Sequence, residues 1–225
     1  MSDTALTPAE RRSRKRKALL AGGIVLGLGA TATLAAWTDD VWVNGTFTAG
    51  KFNVQGAVTA TSGNWATASN WQELNTSGSA GTLAFTVNPA AMTPGDAVYA
   101  PLNLRVDPLK NSYNAAITLP TAPTGPASAT PAENQAFFNA LRVTLYNVAP
   151  GSCSSAGIGA TEGIPGLTYV ALTTTATTPI TALELNKDST AKGVCFKVEL
   201  PEGSNANVQG GTTGTLTWNF RATSA

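Results

Sequence analysis

The sequence predicts an all-β fold: an antiparallel β-sandwich, jelly-roll-like, with one short helix and an N-terminal signal helix. Three observations predict it. Short runs alternate apolar and polar side chains, the period of a strand with one buried face. Clusters of Gly, Pro, Asn and Asp punctuate those runs. Charged residues are only 12% of the chain and apolar ones 43%, which supports a core and argues against disorder.

The chain begins with an export pattern. Arg11-Arg12-Ser13-Arg14-Lys15-Arg16-Lys17 is strongly basic, and Ala18 to Ala32 is apolar or small. Thr33-Leu34-Ala35 satisfies the small-x-small rule of a signal peptidase. Cleavage is expected after Ala35, with Ala36 as the alternative. The apolar run is about 15 residues, short of the roughly 20 that span a bilayer as a helix. An uncleaved anchor is the competing reading, and Arg11-Arg12 leaves twin-arginine export as a lesser route. Residues 1–35 therefore read as a signal peptide and 36–225 as a single domain. Six of the 14 basic residues and two of the 13 acidic ones lie in the signal, so residues 36–225 carry a net charge of −3. No basic patch remains for nucleic acid, and membrane contact is expected only through the uncleaved signal.

Trp37 to Val43 reads as a strand, followed by a turn at Asn44-Gly45 and short strands at Thr46–Thr48 and Lys51–Val54. Gly56 to Gly81 is a Ser/Thr/Ala/Gly/Asn-rich long loop or ragged hairpin that Trp65 and Trp71 are expected to pin to the domain; ligand stacking is their less favoured use. Leu83, Phe85 and Val87 alternate as a strand. In Met92-Thr93-Pro94-Gly95-Asp96, proline presets one turn position and glycine accepts positive φ at the next, as a type II turn requires.

Val98, Ala100, Leu102, Leu104 and Val106 form one face of the next strand. Pro101 has no N–H for a ladder, so an edge or a bulge is expected there. Ala115, Ile117 and Leu119 give another strand. Pro120 to Pro131 is a linker, and Ala132 to Ala140 a short helix with Thr130 as candidate N-cap. Leu141, Val143 and Leu145 form a strand, Gly151 to Gly166 a glycine-rich loop, and Leu167 to Leu172 a further strand. Ile180 to Leu185 is a short apolar segment. Val194, Phe196, Val198 and Leu200 alternate with Cys195, Lys197 and Glu199. At the end, Leu216, Trp218 and Phe220 face inward and Thr215, Thr217, Asn219 and Arg221 outward. The count is about nine or ten short strands.

Cys153 and Cys195 are the two cysteines. In an exported chain a disulfide between them is the default, closing a loop of about 43 residues. Two buried thiols are the alternative. Cys195 lies off the apolar face of its strand, so the bridge would staple the glycine-rich loop onto the outer surface.

Several chemistries are excluded. The chain has no histidine, which removes imidazole zinc sites, Ser-His-Asp triads and Cys-His pairs. Asp39 and Asp40 are adjacent on an expected strand and face opposite sides, so they form no glycosidase pair. Asp39, Asp40, Asp96 and Asp107 lack calcium-loop spacing. No cofactor or metal is expected, and no catalytic residue is assigned.

One stretch carries a resemblance. The basic and apolar segments lead into Leu34-Ala35-Ala36-Trp37-Thr38-Asp39, then Gly45-Thr46-Phe47-Thr48-Ala49-Gly50. Met92-Thr93-Pro94-Gly95-Asp96, Cys195-Phe196 through Leu200-Pro201, Val208-Gln209-Gly210 and Thr217-Trp218-Asn219-Phe220 follow the same layout. The chain resembles proteins with a SipW-dependent signal peptide, the TasA and camelysin-like family, in its actinobacterial branch. The resemblance implies a secreted jelly-roll subunit of extracellular biofilm-matrix fibres. It implies a SipW-type signal peptidase as processing partner, the chain itself as homopolymer partner, and other matrix proteins as further candidates. It also implies head-to-tail assembly, with a freed N-terminal segment inserted as a strand into the next subunit. Here that donor is residues 36–46, with Val41 and Val43 on one side and Trp37 and Trp42 as anchors; an intramolecular first strand of a monomeric domain is the competing reading. A monomeric adhesin or carbohydrate-binding module, using Trp65 and Trp71, is the alternative. Camelysin-like protease activity is the third reading, and the missing imidazoles argue against it.

Overall fold

The computed structural model describes residues 8–31, 41–46, 48–58, 64–86, 88–127, 130–159 and 161–225, with backbone alone at 25–31 and 64. Contacts divide the chain into two units, Met1–Phe47 and Thr48–Ala225.

The first unit holds one long helix, α1 (Pro8–Thr31), rich in the helix formers Ala, Leu, Arg and Lys. Pro8 tolerates the first turn, and Glu10 places negative charge there. The basic cluster occupies much of this helix. No described helix is long and apolar enough to cross a membrane. Val41 to Thr46 have no regular structure and are exposed.

The second unit is mostly sheet. Its elements are β1 (Phe52–Ala57), β2 (Ala97–Asn111), β3 (Ala115–Thr121), α2 (Ala132–Ala140), β4 (Arg142–Val148), α3 (Ser155–Ile158), β5 (Val170–Ala171), β6 (Lys192–Glu199) and β7 (Asn219–Ser224). Five strands form one sheet in the order β1-β2-β6-β4-β5, and β3 pairs with β7 in another. Every pairing is antiparallel.

The centre of the larger sheet follows from its alternation. Val98, Ala100, Leu102, Leu104 and Val106 of β2 are buried, as are Val194, Phe196 and Val198 of β6 and Val143 and Leu145 of β4. Register places like against like: Ala100 opposite Phe196, which lies opposite Leu145. Burying each large side chain contributes about 1.5–3 kcal/mol, so these three strands dominate the core. Ala115, Ile117 and Leu119 of β3 join the same core. The outer edge of β3 is satisfied by an irregular segment. Leu119 exchanges both backbone bonds with Ala176 at 2.8 Å, and Ala115 with Leu185 at 2.8 and 2.9 Å.

Several expectations are corrected. Seven strands form among the described residues, fewer than expected. Leu83–Phe85 makes no strand; only an isolated bridge joins Thr86 to Tyr99. The strand expected over Leu167–Leu172 is reduced to β5, because Tyr169 adopts φ 51°. A second short helix, α3, forms inside the glycine-rich loop, where the Ser154 side chain accepts from Gly157 N–H at 2.9 Å. Thr130 does not cap α2: its hydroxyl donates to the Ala127 carbonyl at 2.7 Å, and Pro131 takes the cap position.

Pro101 sits in an interior strand, not at an edge. Local geometry explains this. The Tyr99 carbonyl turns away from β6 to accept from Thr86, so Pro101, two residues on, faces the same way. Pairing with β1 ends at Asn103. The missing N–H therefore falls between two partners and breaks no ladder bond.

Candidate functional site

The cleft of the second unit is the candidate site. It has a volume of about 990 Å³. Its floor is the apolar face of the larger sheet, lined by Leu102, Leu104, Phe196 and Val198. One wall is the C-terminal stretch from Thr212 to Ala222, and the other is the loop carrying Leu74, Leu83, Phe85 and Met92.

The C-terminal wall keeps the expected alternation. Leu216, Trp218, Phe220 and Ala222 pack partly against the core, while Thr215, Thr217, Asn219 and Arg221 are exposed. Trp218 and Phe220 meet Phe196 edge to face, with ring centroids 5.2 and 5.9 Å apart. That geometry suits the aromatic quadrupole. Yet these inward residues are only half buried, unlike their counterparts in β2 and β6. All four line the open cleft. From Asn219 onward the chain pairs with β3. Among the described residues, Thr215, Leu216 and Thr217 make no backbone hydrogen bond.

The cleft thus has an apolar floor and a wall of free peptide groups. It offers pockets for side chains and a ladder for a backbone, the two requirements for adding an extended segment to a sheet. Among the described residues no group of metal-ligating side chains gathers anywhere.

The sequence-expected site residues fall as follows. Ala35, Ala36 and Trp37 lie outside the described residues. Val41, Trp42 and Val43 are described and lie in no strand; they are 83%, 90% and 87% exposed. Trp71 is buried at 7% exposure, with the Arg105 guanidinium 4.2 Å from its ring centroid. Gln72 beside it exchanges two 3.0 Å backbone bonds with Gly56. Trp71 therefore pins its loop, and one ring face is already taken by a cation. Trp65 is half buried.

Cys153 and Cys195 form a disulfide, with Cα atoms 5.0 Å apart. The bridge holds the α3 loop over the outer face of β6, as the strand's alternation requires, and Cys195 becomes fully buried beneath it. Such a bond is at home in an oxidising compartment. The same loop extends the edge beyond β5: Leu145 donates to Leu167 at 2.9 Å and accepts from Ile164 at 2.7 Å.

Arg221 is the one charged residue among those lining the cleft, and it is exposed; the charged groups whose titration is shifted lie elsewhere. In the turn before β2, Gly95 has φ +97° and Asp96 N–H donates to the Thr93 carbonyl at 2.9 Å. The Asp96 carboxylate accepts from Thr93 N–H at 2.7 Å and from its hydroxyl at 2.8 Å, which holds its pKa below the ordinary aspartate range. Lys110 donates to Glu73 at 2.8 Å, and this bond raises its pKa. On the outer face of β6, burial pulls the Lys197 ammonium down, but its bond and attraction to Glu199 leave it above its usual value.

The cleft walls were only half legible in sequence. Alternation marks Leu216, Trp218 and Phe220 as inward-facing; nothing in it marks their backbone as unpaired. No protein-family model matches the chain, and no curated protein is significantly similar to it.

Proposed function

We propose that this protein is a secreted structural subunit of extracellular matrix fibres that assembles head to tail by strand donation. In this reading residues 36–46 of one copy enter the cleft of the next. The occupant completes the smaller sheet, and the whole becomes a jelly-roll-like sandwich.

The observation that carries the reading is a complementary pair of deficits. Val41, Trp42 and Val43 are apolar, exposed and unpaired. The cleft has an apolar floor and is lined on one side by unpaired peptide groups. A six-residue strand is about 20 Å long, and the wall from Thr212 to Ala222 is long enough to meet it. Donation from one copy to another does not close on itself, so repetition gives a filament. Signal cleavage by a SipW-type peptidase would free the donor. The resemblance to TasA and camelysin-like proteins, the export pattern and the disulfide agree with a secreted product. No enzymatic role is proposed.

The test is electron microscopy of chains beginning at Ala36. Filaments are expected, and the same chain shortened to begin after Thr46 should remain monomeric. Monomers from both would refute the reading. A glycan-binding adhesin would instead require sugar binding that Trp65→Ala or Trp71→Ala abolishes.

A further inference from the structure

The loop wall of the cleft is patterned as a strand without being one. Leu83 and Phe85 are half buried against the core, while Thr82, Ala84 and Thr86 are exposed. One backbone tie holds this arm, at its far end. Thr86 N–H donates to the Tyr99 carbonyl at 2.8 Å, and the Thr86 hydroxyl donates to the same oxygen at 3.3 Å. Among the described residues, Thr82 to Phe85 make no backbone hydrogen bond. The arm starts from a fixed base, because Thr76 and Ser79 cap each other's backbone just upstream.

Direction matters here. Successive peptide groups of an extended chain point to opposite sides. Thr86 is committed to Tyr99, so the N–H and C=O groups of Leu83 and Phe85 aim the other way. Their side chains already line the cleft. Two strand-patterned, unpaired stretches therefore bound one apolar slot, Thr82–Phe85 and Thr215–Thr217.

We infer that Thr82–Thr86 is a conditional strand. When an extended segment fills the cleft, this arm pairs with its free edge, so the occupant is held between two ladders instead of one. The inference rests on the strand-donation reading above and adds a second contact surface to it. It makes capture a closing event: Leu83 and Phe85 lose their remaining exposure only when the slot is full. An arm that pairs late also leaves the empty slot open to entry, and slows escape once the occupant is in place.

The experiment uses the full chain carrying Val41→Asp and Val43→Asp, so that its own segment does not compete. A synthetic peptide with the sequence of residues 36–46 is added, and amide hydrogen exchange is followed by mass spectrometry. Peptide should slow exchange over both Thr215–Thr217 and Thr82–Thr86 by about a hundredfold or more. Slowing over Thr215–Thr217 alone would overturn the conditional strand and leave donation standing. No slowing at either stretch would overturn both. A second variant pair separates backbone from packing. Leu83→Ala and Leu83→Pro remove the same side chain, but only proline removes the N–H. Leu83→Pro should bind the peptide about tenfold more weakly than Leu83→Ala, as one lost hydrogen bond implies. Equal affinities would contradict pairing at that residue.

Discussion

The strand β6 and the C-terminal stretch from Thr215 to Ala222 carry the same alternating pattern, yet they end in different states. Val194, Phe196 and Val198 are sealed between neighbours on both edges and a layer above. Leu216, Trp218 and Phe220 touch that same core but are only partly buried, and the backbone at Thr215–Thr217 has no ladder. The difference is one of partners, not of composition. Alternation dictates which face is apolar; it does not dictate whether this molecule supplies what covers it.

That comparison can be broken at its closed end first. Phe196→Ala removes a fully buried ring that also anchors Trp218 and Phe220. A loss of about 3–5 kcal/mol is expected in chemical denaturation. A loss under about 1 kcal/mol would mean the two faces are not one core. Opening the staple comes next. Cys153→Ser with Cys195→Ser should cost about 2–4 kcal/mol, since the closed loop restrains the unfolded chain.

The open end should respond differently. Leu216→Ser alters a half-buried position, so about 1 kcal/mol of stability is expected to go. Assembly, by contrast, should fail outright. Trp42→Ala sharpens the contrast further. Its side chain is 90% exposed, so the melting transition should stay within about 0.5 kcal/mol of the parent, while filaments disappear from micrographs.

The smallest effect concerns acid. The Asp96 pKa is lowered in the fold by its bonds from Thr93. A depressed carboxylate contributes stability above its unfolded pKa and loses it as pH falls through the folded one. Urea midpoints of the parent should therefore fall below about pH 4. Asp96→Asn should flatten that part of the profile; an unchanged profile would place the acid sensitivity elsewhere.

Much of the fold was legible. Val98 through Val106 and Val194 through Leu200 announce their strands because every second residue is apolar. Thr93-Pro94-Gly95-Asp96 announces its turn because only glycine accepts the φ found there. Cys195 sits off the apolar face, and its bridge to Cys153 follows that geometry. The misses share a cause. Leu83 and Phe85 alternate correctly but lack a neighbour, so local pattern overstates them. Pro101 predicts an edge or a bulge, and its position between two short partners is a tertiary fact. Ile180 to Leu185 reads as a short apolar run, and its backbone partnership with β3 depends on a chain segment distant in sequence. For the candidate site, the inward face of the C-terminus was readable, whereas the cleft between its walls was not. A cleft is a relation between elements that no single stretch encodes.

Complementation between two crippled copies tests the central claim most directly. One chain beginning at Ala36 carries Leu216→Asp, which spoils the cleft and keeps the donor; the other carries Val41→Asp and Val43→Asp, which spoils the donor and keeps the cleft. Each alone should sediment as a monomer. Mixed in equal amounts they should form a one-to-one dimer and nothing larger, because only one donor and one cleft remain. A mixture that stays monomeric while the parent chain assembles would contradict the account, as would either variant polymerising by itself.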